Sequence, residues 1–426
     1  MRSRSVFRIV PPLPDLTFSD LESQFGIRQR IEAANRPEIA ESYAALRKQY
    51  ADQSRRAQQQ FADPRIKQPA CAALFHLAIE SVKAARLVYE AIQAADRVLR
   101  SGDAWIVSPE VVERAVDWNR RKLVRLEGQL RLLDLVDEVI LPLKKLFAQL
   151  ENSRHVSALG WRSITRHVLS QAEGYSTPAD FVPLPGFSVR DYLSQAGHAA
   201  HGAGFGHGLE TLLALAPALA ARHADPAAVD VLSIAALCQD CGMLLLERRR
   251  ADRQMAADAA EDSQKHAALS AGLVAGIAEF VAELPQLVAE HHRRFVAFGH
   301  ASDFNLFNAG LQRTDSRMLA TTVRFLELLQ EPAAQAAGQL PGTSLYPAAL
   351  RLNHEALRGE WDAKIAAEFL SRLGFLVQFE AVDGSAEDRL EQANRRLDAA
   401  DPHVPDPNFL LSQAEREIVH VRSVRR

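Results

Sequence analysis

Eight of the fourteen histidines in the chain, His198, His201, His207, His223, His266, His291, His292 and His300, fall between residues 198 and 300. Neutral imidazole nitrogens joined by a carboxylate oxygen are a donor set for Zn, Mn, Fe or Ni, so a dense group of histidines with an acid among them points to a metal site. The acid is Asp240. It lies near the end of the apolar run Val231-Leu232-Ser233-Ile234-Ala235-Ala236-Leu237-Cys238-Gln239-Asp240-Cys241-Gly242-Met243. A carboxylate carried into an apolar interior without a cation pays a large desolvation cost. Asp240 is therefore either a buried ligand or a solvated helix end.

The histidines must reach Asp240 from separate elements. His207 opens a helix patterned by Leu209, Leu212, Leu213, Ala216 and Leu219, with Pro217 as a local irregularity, and Pro226 opens the helix that ends at Asp240. His266 follows Lys265 at the expected start of another apolar helix, and His291-His292 follow Leu284 to Val288. Successive side chains on a helix point about 100° apart, so His291 and His292 meet on one cation only at a helix end or distortion. Gly299 shortly afterwards suits that. His198, His201 and His300 are read as loop residues outside the set. Cys238 and Cys241 form a CxxC pair, which has no second pair to complete a zinc site. Arg248-Arg249-Arg250 and Arg293-Arg294 could contact a phosphate, but a solvated basic face is the favoured account of them.

The rest of the chain is expected to be all-α, because Ala and Leu dominate and the apolar residues repeat at spacings of three and four. The clearest helix starts at Ser108-Pro109 and carries Val111, Ala115, Trp118, Leu123, Leu126, Leu130, Leu133, Val136 and Ile140 on its stripe, with Pro142 expected to kink or end it. A second is expected from Cys71 to Leu99, and a more polar one from Pro37 to Phe61. The expected organisation is an N-terminal segment 1–36, a helical bundle or hairpin 37–173, a Pro- and Gly-rich linker 174–190, a domain 191–376 holding the histidines, and a tail 377–426. The bundle reads as a packing or dimerisation module. Residues 331–346 look like a second connector.

Composition narrows the functional classes. At 426 residues there is room for two or three compact units. With 50 Lys and Arg against 53 Asp and Glu, the net charge of -3 gives no general field for nucleic acid. Three cysteines make no extracellular disulfide framework. The stretch before Pro11-Pro12 is too short for a signal-peptide core, and no uncharged apolar run reaches about 18 residues. A cytoplasmic protein with no membrane or nucleic-acid partner is expected.

The order and spacing of these motifs over residues 200 to 330 resemble the HD-GYP family of bacterial metal-dependent phosphohydrolases, a subgroup of the HD superfamily. Residues 235–243 stand where that family has a segment like AALLHDIGK, His266 where a later helix histidine lies, and His291-His292 where a histidine pair precedes the GYP signature. Residues 316–325, SRMLATTVRF, resemble the family's ARILAVADVF helix. Gly359 to Phe375 resembles its C-terminal helices and extends the likeness to about residue 376. The departures fall on the chemistry. Gln239 stands for the histidine of the HD pair, Met243 for the lysine after it, Val323 for a terminal metal-binding aspartate, and Gly299-His300-Ala301 for GYP.

By that resemblance, Asp240 would bridge two metals, one held also by His266, His291 and His292, the other by His207 and the two lost ligands. The first set is complete. The second keeps His207 and Asp240, with Gln239 as a weak oxygen donor and Glu327, one turn beyond Val323, as a stand-in carboxylate. The resemblance implies one divalent cation (Fe, Mn, Zn or Ni) rather than two, and reduced or absent activity toward cyclic di-GMP, since a second cation normally helps neutralise charge developing on the phosphate. Two rivals stand beside this. One is a non-catalytic regulatory or scaffold protein that binds a cyclic nucleotide without turnover, or contacts a protein partner or a second copy through the N-terminal helices, with no metal. The other is hydrolysis of a different phosphorylated small molecule.

Overall fold

The computed structural model describes residues 7–9, 18–102, 104–153, 155–173, 182–221, 225–253, 259–280, 283–293, 314–331, 345–358, 360–381 and 422–423. Its helices are α1 (Phe18–Phe25), α2 (Arg36–Phe61), α3 (Ala72–Ser101), α4 (Pro109–Asn152), α5 (Leu159–Glu173), α6 (Val189–Leu193), α7 (Ala199–His201), α8 (His207–Ala220), α9 (Pro226–Cys238), α10 (Gly242–Arg253), α11 (Ala259–Val274), α12 (Glu283–Ala289), α13 (Thr314–Gln330), α14 (Tyr346–Leu357) and α15 (Ala363–Arg372). Against these stand short strands only: β1 (Phe7–Ile9), β2 (Arg28–Arg30), β3 (Trp105–Val107), β4 (Val377–Ala381) and β5 (Arg422–Ser423). The fold is all-α.

The chain divides into two compact units, residues 13–131 and residues 1–12 with 132–426. The expected division at 174–190 is not where the contacts part. The boundary falls inside α4, at Arg131 and Leu132. The segment read as a linker instead contributes Val182, Leu184, Phe187 and Val189 to a buried core; residues 174–181 lie outside the described residues. Nor are the two chain ends separate segments, because β1 pairs antiparallel with β4, Phe7 opposite Phe379, and β5 runs parallel to β4. A pairing between strands more than 350 residues apart leaves no local mark on either.

In the unit 13–131, α2, α3 and the first part of α4 enclose Leu21, Tyr43, Leu46, Val88, Ile92, Ile106, Val112 and Trp118. Gly102 closes α3 in a left-handed conformation, φ 88°, that favours a residue without Cβ. The polar helix α2 is fastened by two buried amides: Gln53 Nε2 donates to the carbonyl of Val116 at 2.9 Å, and Gln60 Nε2 to that of Leu123 at 3.2 Å. Asn119 joins them, donating to Gln53 Oε1 at 3.2 Å and accepting from Ser81.

Helix α4 does not stop at Pro142 but continues to Asn152. Proline removes one hydrogen bond of the ladder, while Leu143, Phe147 and Leu150 beyond it are all buried. Their burial, at roughly 1.5–3 kcal/mol for each large apolar side chain, outweighs the lost bond. Pro142 itself is exposed.

The second unit surrounds α9, whose residues from Asp230 to Cys238 are all buried. A helix apolar on every side belongs at the centre of a helical core. Asp225 caps it, its side chain accepting from the Ala228 N–H at 3.1 Å. Helices α5, α8, α12 and α13 pack on α9, and α10 and α11 follow as an antiparallel neighbour pair. Residues 226–248 have the length and apolarity to cross a membrane, but 83% of that window is buried inside the protein. It is two helices joined by the turn that carries Asp240.

Two glycines set the close approaches on which the site depends. A Cβ on Gly208 would lie 2.2 Å from the Leu237 carbonyl oxygen, so α8 reaches the last turn of α9 only without a side chain there. A Cβ on Gly242 would lie 2.4 Å from the His266 carbonyl oxygen and 2.7 Å from the Ser270 nitrogen. The turn after α9 thus abuts α11 backbone to backbone, and the Gly242 N–H donates to Ser270 Oγ at 2.7 Å.

Candidate metal centre

Four helices deliver the polar side chains of one buried cluster. Asp240 sits in the turn between α9 and α10, with its carbonyl accepting from the Met243 N–H at 2.8 Å. His266 comes from the middle of α11. The expected helix start at Lys265 is corrected here, since α11 begins at Ala259 and the polar residues before His266 continue the same helix. His291 and His292 lie just past the end of α12, where the chain has left helical geometry and both rings can turn to one side. Helix α8 begins at His207.

The ligand atoms of Asp240, His266, His291 and His292 lie within 4.8 Å of one another. His266 Nε2 is 3.0 Å from Asp240 Oδ1, 3.1 Å from His291 Nε2 and 3.1 Å from His292 Nε2, and His291 Nε2 is 3.5 Å from the same Asp240 oxygen. Four donors around a tetrahedral zinc at about 2.0–2.1 Å would stand about 3.3 Å apart. Four of the six spacings, at 3.0 to 3.5 Å, are close to that edge, and all six lie within 4.8 Å.

Hydrogen bonding alone does not satisfy these atoms. His291 Nδ1 is 2.6 Å from the carbonyl oxygen of Val288, which only accepts, so the proton of the neutral ring is on Nδ1 and Nε2 presents a lone pair. That lone pair faces Asp240 Oδ1, another acceptor. His266 Nε2 meets three neighbours and carries one proton at most. Converging lone pairs in a buried place are the arrangement that a cation resolves.

The charges agree with this reading. Burial acts to raise the pKa of Asp240, but hydrogen bonds with His207 and His266 prevail and hold the carboxyl well below its ordinary value. His291 is shifted the other way: burial disfavours its imidazolium more than Asp240 favours it, so the ring is held neutral. Neutral imidazole and ionised carboxylate are the forms that coordinate metals.

Asp240 divides its two oxygens. Oδ1 faces His266 and His291, and Oδ2 lies 3.1 Å from His207 Nδ1. Burial opposes the charge on His207, yet the Asp240 carboxylate raises its pKa to about 9. On this second side the remaining donors are sparse. Gln239 is fully buried, and its Nε2 donates to Thr211 Oγ1 at 3.0 Å; Thr211 in turn donates to the His207 carbonyl at 2.8 Å. The Gln239 amide is thereby directed to α8, and its Oε1 has no hydrogen-bond partner among the described residues. Val323 is buried and offers no donor. Glu327 is nearby on α13, but its Oε1 lies 3.3 Å from His292 Nδ1.

The other singled-out residues fall elsewhere or outside the described residues. His198 and His201 lie in the irregular helical stretch between α6 and α8, where Lys144 Nζ is 2.7 Å from His198 Nδ1. Burial and the charges of Lys144, His198 and Arg248 lower His201 to about 4. Arg248 pairs with Glu151 at 2.6 Å and Arg293 with Glu290 at 3.2 Å. Cys238 and Cys241 are buried free thiols. Burial raises both, Cys241 to about 12, which keeps them protonated. His223, Arg294, Gly299, His300 and Ala301 lie outside the described residues.

Sequence reasoning missed the groups around the cluster: the Val288 carbonyl behind His291, Ser270 at the Gly242 turn, and Thr211 beside Gln239 and His207. A main-chain acceptor has no residue type to read. Comparison with protein-family models, with curated proteins and with solved structures found no match to the chain.

Proposed function

We propose that the chain is a divergent, HD-GYP-like metal-dependent phosphohydrolase-domain protein that holds one divalent cation (Fe, Mn, Zn or Ni) through Asp240, His266, His291 and His292. The observation that carries the reading is the convergence of three imidazoles and one carboxylate in a buried place, their donor atoms within 4.8 Å of one another and four of the spacings at 3.0 to 3.5 Å. A cation bound there would supply Lewis acidity toward a phosphate oxygen. Asp240 would keep its second oxygen for His207, whose ring can bear a positive charge beside it.

The ligand class, by the resemblance in motif order, is cyclic di-GMP or another phosphorylated small molecule. We place phosphodiesterase turnover as reduced or absent, because the second side of Asp240 lacks donors: Gln239 turns its amide to Thr211, and Val323 is apolar. The same observation favours a second reading, a regulatory protein that binds a cyclic nucleotide without turnover, or that contacts a protein partner or second copy through the N-terminal helices.

Elemental mass spectrometry on protein purified without chelator or affinity-metal exposure tests the first reading. About one equivalent of Fe, Mn, Zn or Ni per chain is expected. No bound metal, even after reconstitution, would transfer the weight to the regulatory reading. Cyclic di-GMP binding with and without hydrolysis then separates an enzyme from a sensor.

A further inference from the structure

We propose that Glu327 is the positioning residue for His292: its carboxylate accepts a hydrogen bond from Nδ1–H and so turns the Nε2 lone pair into the Asp240 cluster. This rests on the metal-binding reading of that cluster, and it differs from a stand-in role in which Glu327 is itself a ligand.

The geometry separates those roles. His292 Nε2 is 3.1 Å from His266 Nε2, on the side of the cluster, while His292 Nδ1 is 3.3 Å from Glu327 Oε1. The two nitrogens of an imidazole direct their lone pairs away from each other. A carboxylate on Nδ1 is therefore behind the ring as seen from a cation on Nε2. His292 needs such a support more than its neighbour does. His291 is fully buried and held by the Val288 carbonyl, whereas His292 is part-exposed and has, among the described residues, no such main-chain partner at its Nδ1, which faces Glu327.

Glu327 is itself held in place. Its other oxygen, Oε2, accepts from Arg324 Nη1 at 3.0 Å. Arg324 is bound by Glu355 through two bonds, Nε to Oε2 at 2.9 Å and Nη2 to Oε1 at 2.7 Å, and lies 3.0 Å from Glu331 Oε1. Trp361 Nε1 donates to Glu355 Oε2 at 2.8 Å. The chain Trp361, Glu355, Arg324, Glu327, His292 thus links α13 and α14 to the ligand ring, each carboxylate oxygen of Glu327 serving one side. A carboxylate on the far nitrogen of a ligating histidine fixes its tautomer and raises its basicity.

The test compares wild type with Glu327→Gln, which keeps an oxygen acceptor without charge, and Glu327→Ala, which keeps neither. Zn2+ affinity is measured by competition with a chelator, and the protonated nitrogen of His292 is read by long-range 1H–15N NMR on the chelated protein. The Ala variant is expected to lose about 10–100-fold in affinity, with recovery of most of it in the Gln variant. His292 is expected to carry its proton on Nδ1 in wild type and to lose that preference in the Ala variant. Wild-type affinity in Glu327→Ala, or an Nε2 proton in wild type, overturns the proposal. So does a fall in bound zinc from two per chain to one, which would make Glu327 a ligand. If wild type binds no zinc, the metal reading fails by itself, and the NMR comparison still decides whether Glu327 sets the ring. Melting curves of the chelated proteins identify a variant that is merely misfolded, in which case Glu327→Gln carries the decision through the His292 tautomer.

Discussion

The Nδ1 atom of His291 lies 2.6 Å from the carbonyl oxygen of Val288, so the main chain of the α12 terminus determines which nitrogen of the ring is free. Burial lowers the pKa of His291 below its ordinary value of 6.5. In chelated protein the ring is expected to stay neutral, protonated on Nδ1, as the pH is brought from 8 down to 6.5. Nitrogen-15 shifts of His291 check this, and an imidazolium at pH 6.5 would contradict the assigned tautomer.

Removing a ligand has a linked effect on stability. His266→Ala is expected to lower both the bound metal and the thermal midpoint of metal-loaded protein, because whatever binds only the folded state stabilises it. At free metal 100-fold above Kd that linkage is worth about 2.7 kcal/mol. Equal metal content and an equal midpoint in mutant and wild type would remove His266 from the set.

Restoring the two lost donors tests the assignment of the second side. Gln239→His with Val323→Asp is expected to raise bound metal from one equivalent toward two and to increase any phosphodiesterase rate. The measurement is metal stoichiometry on folded protein. A double variant that folds and stays at one equivalent would show that the far side of Asp240 is not a vacated metal position.

Glu210, which interacts with His207, gives a pH signature of its own. Burial raises its pKa to about 7, although His207 and the Val189 N–H at 2.6 Å act to lower it. A carboxyl raised in the folded state contributes stability that is complete below the unfolded value near 4.5 and is lost as the pH rises through about 7. Glu210→Gln, which can still accept from Val189, is expected to flatten that decline, by at most about 1.4 kcal/mol per pH unit. Urea unfolding at pH 4.5, 6 and 7.5 reads the slope, and parallel profiles for the two proteins would exclude Glu210 as its source.

The approach of α8 to α9 gives a mechanical test. In Gly208→Ala the new methyl would collide with the Leu237 carbonyl at 2.2 Å, so the helices must part. A loss of about 1–3 kcal/mol in unfolding free energy is expected. The His207 signal should also lose its dependence on Asp240. A variant as stable as wild type would mean that the contact is easily relieved.

The parts of this molecule that were legible in the sequence are those with local causes. Ser108-Pro109 marks the start of α4, the apolar spacing from Cys71 onward marks α3, and the run into Asp240 marks the core helix and its acid. The illegible parts depend on distant neighbours. Pro142 is passed over because of what Leu143, Phe147 and Leu150 bury. His266 sits inside α11 because polar residues can extend a helix as well as precede one. The division inside α4, and the pairing of β1 with β4, arise from contacts between residues hundreds of positions apart or from the balance of packing on a single long helix. At the site, residue type pointed to the four side chains that converge, but not to the Val288 carbonyl and Glu327 carboxylate that lie against two of the rings.

The amides of Gln53 and Gln60 have a further consequence for α2. They are seven residues apart and grip carbonyls that are also seven residues apart, at positions 116 and 123. A helix with few apolar side chains would otherwise slide along its neighbour at little cost. Sliding would break both of these hydrogen bonds between buried groups. The two bonds go to main-chain carbonyls, so α2 draws part of its alignment from the backbone of α4, and side-chain changes at Val116 or Leu123 can alter packing while leaving both acceptors in place.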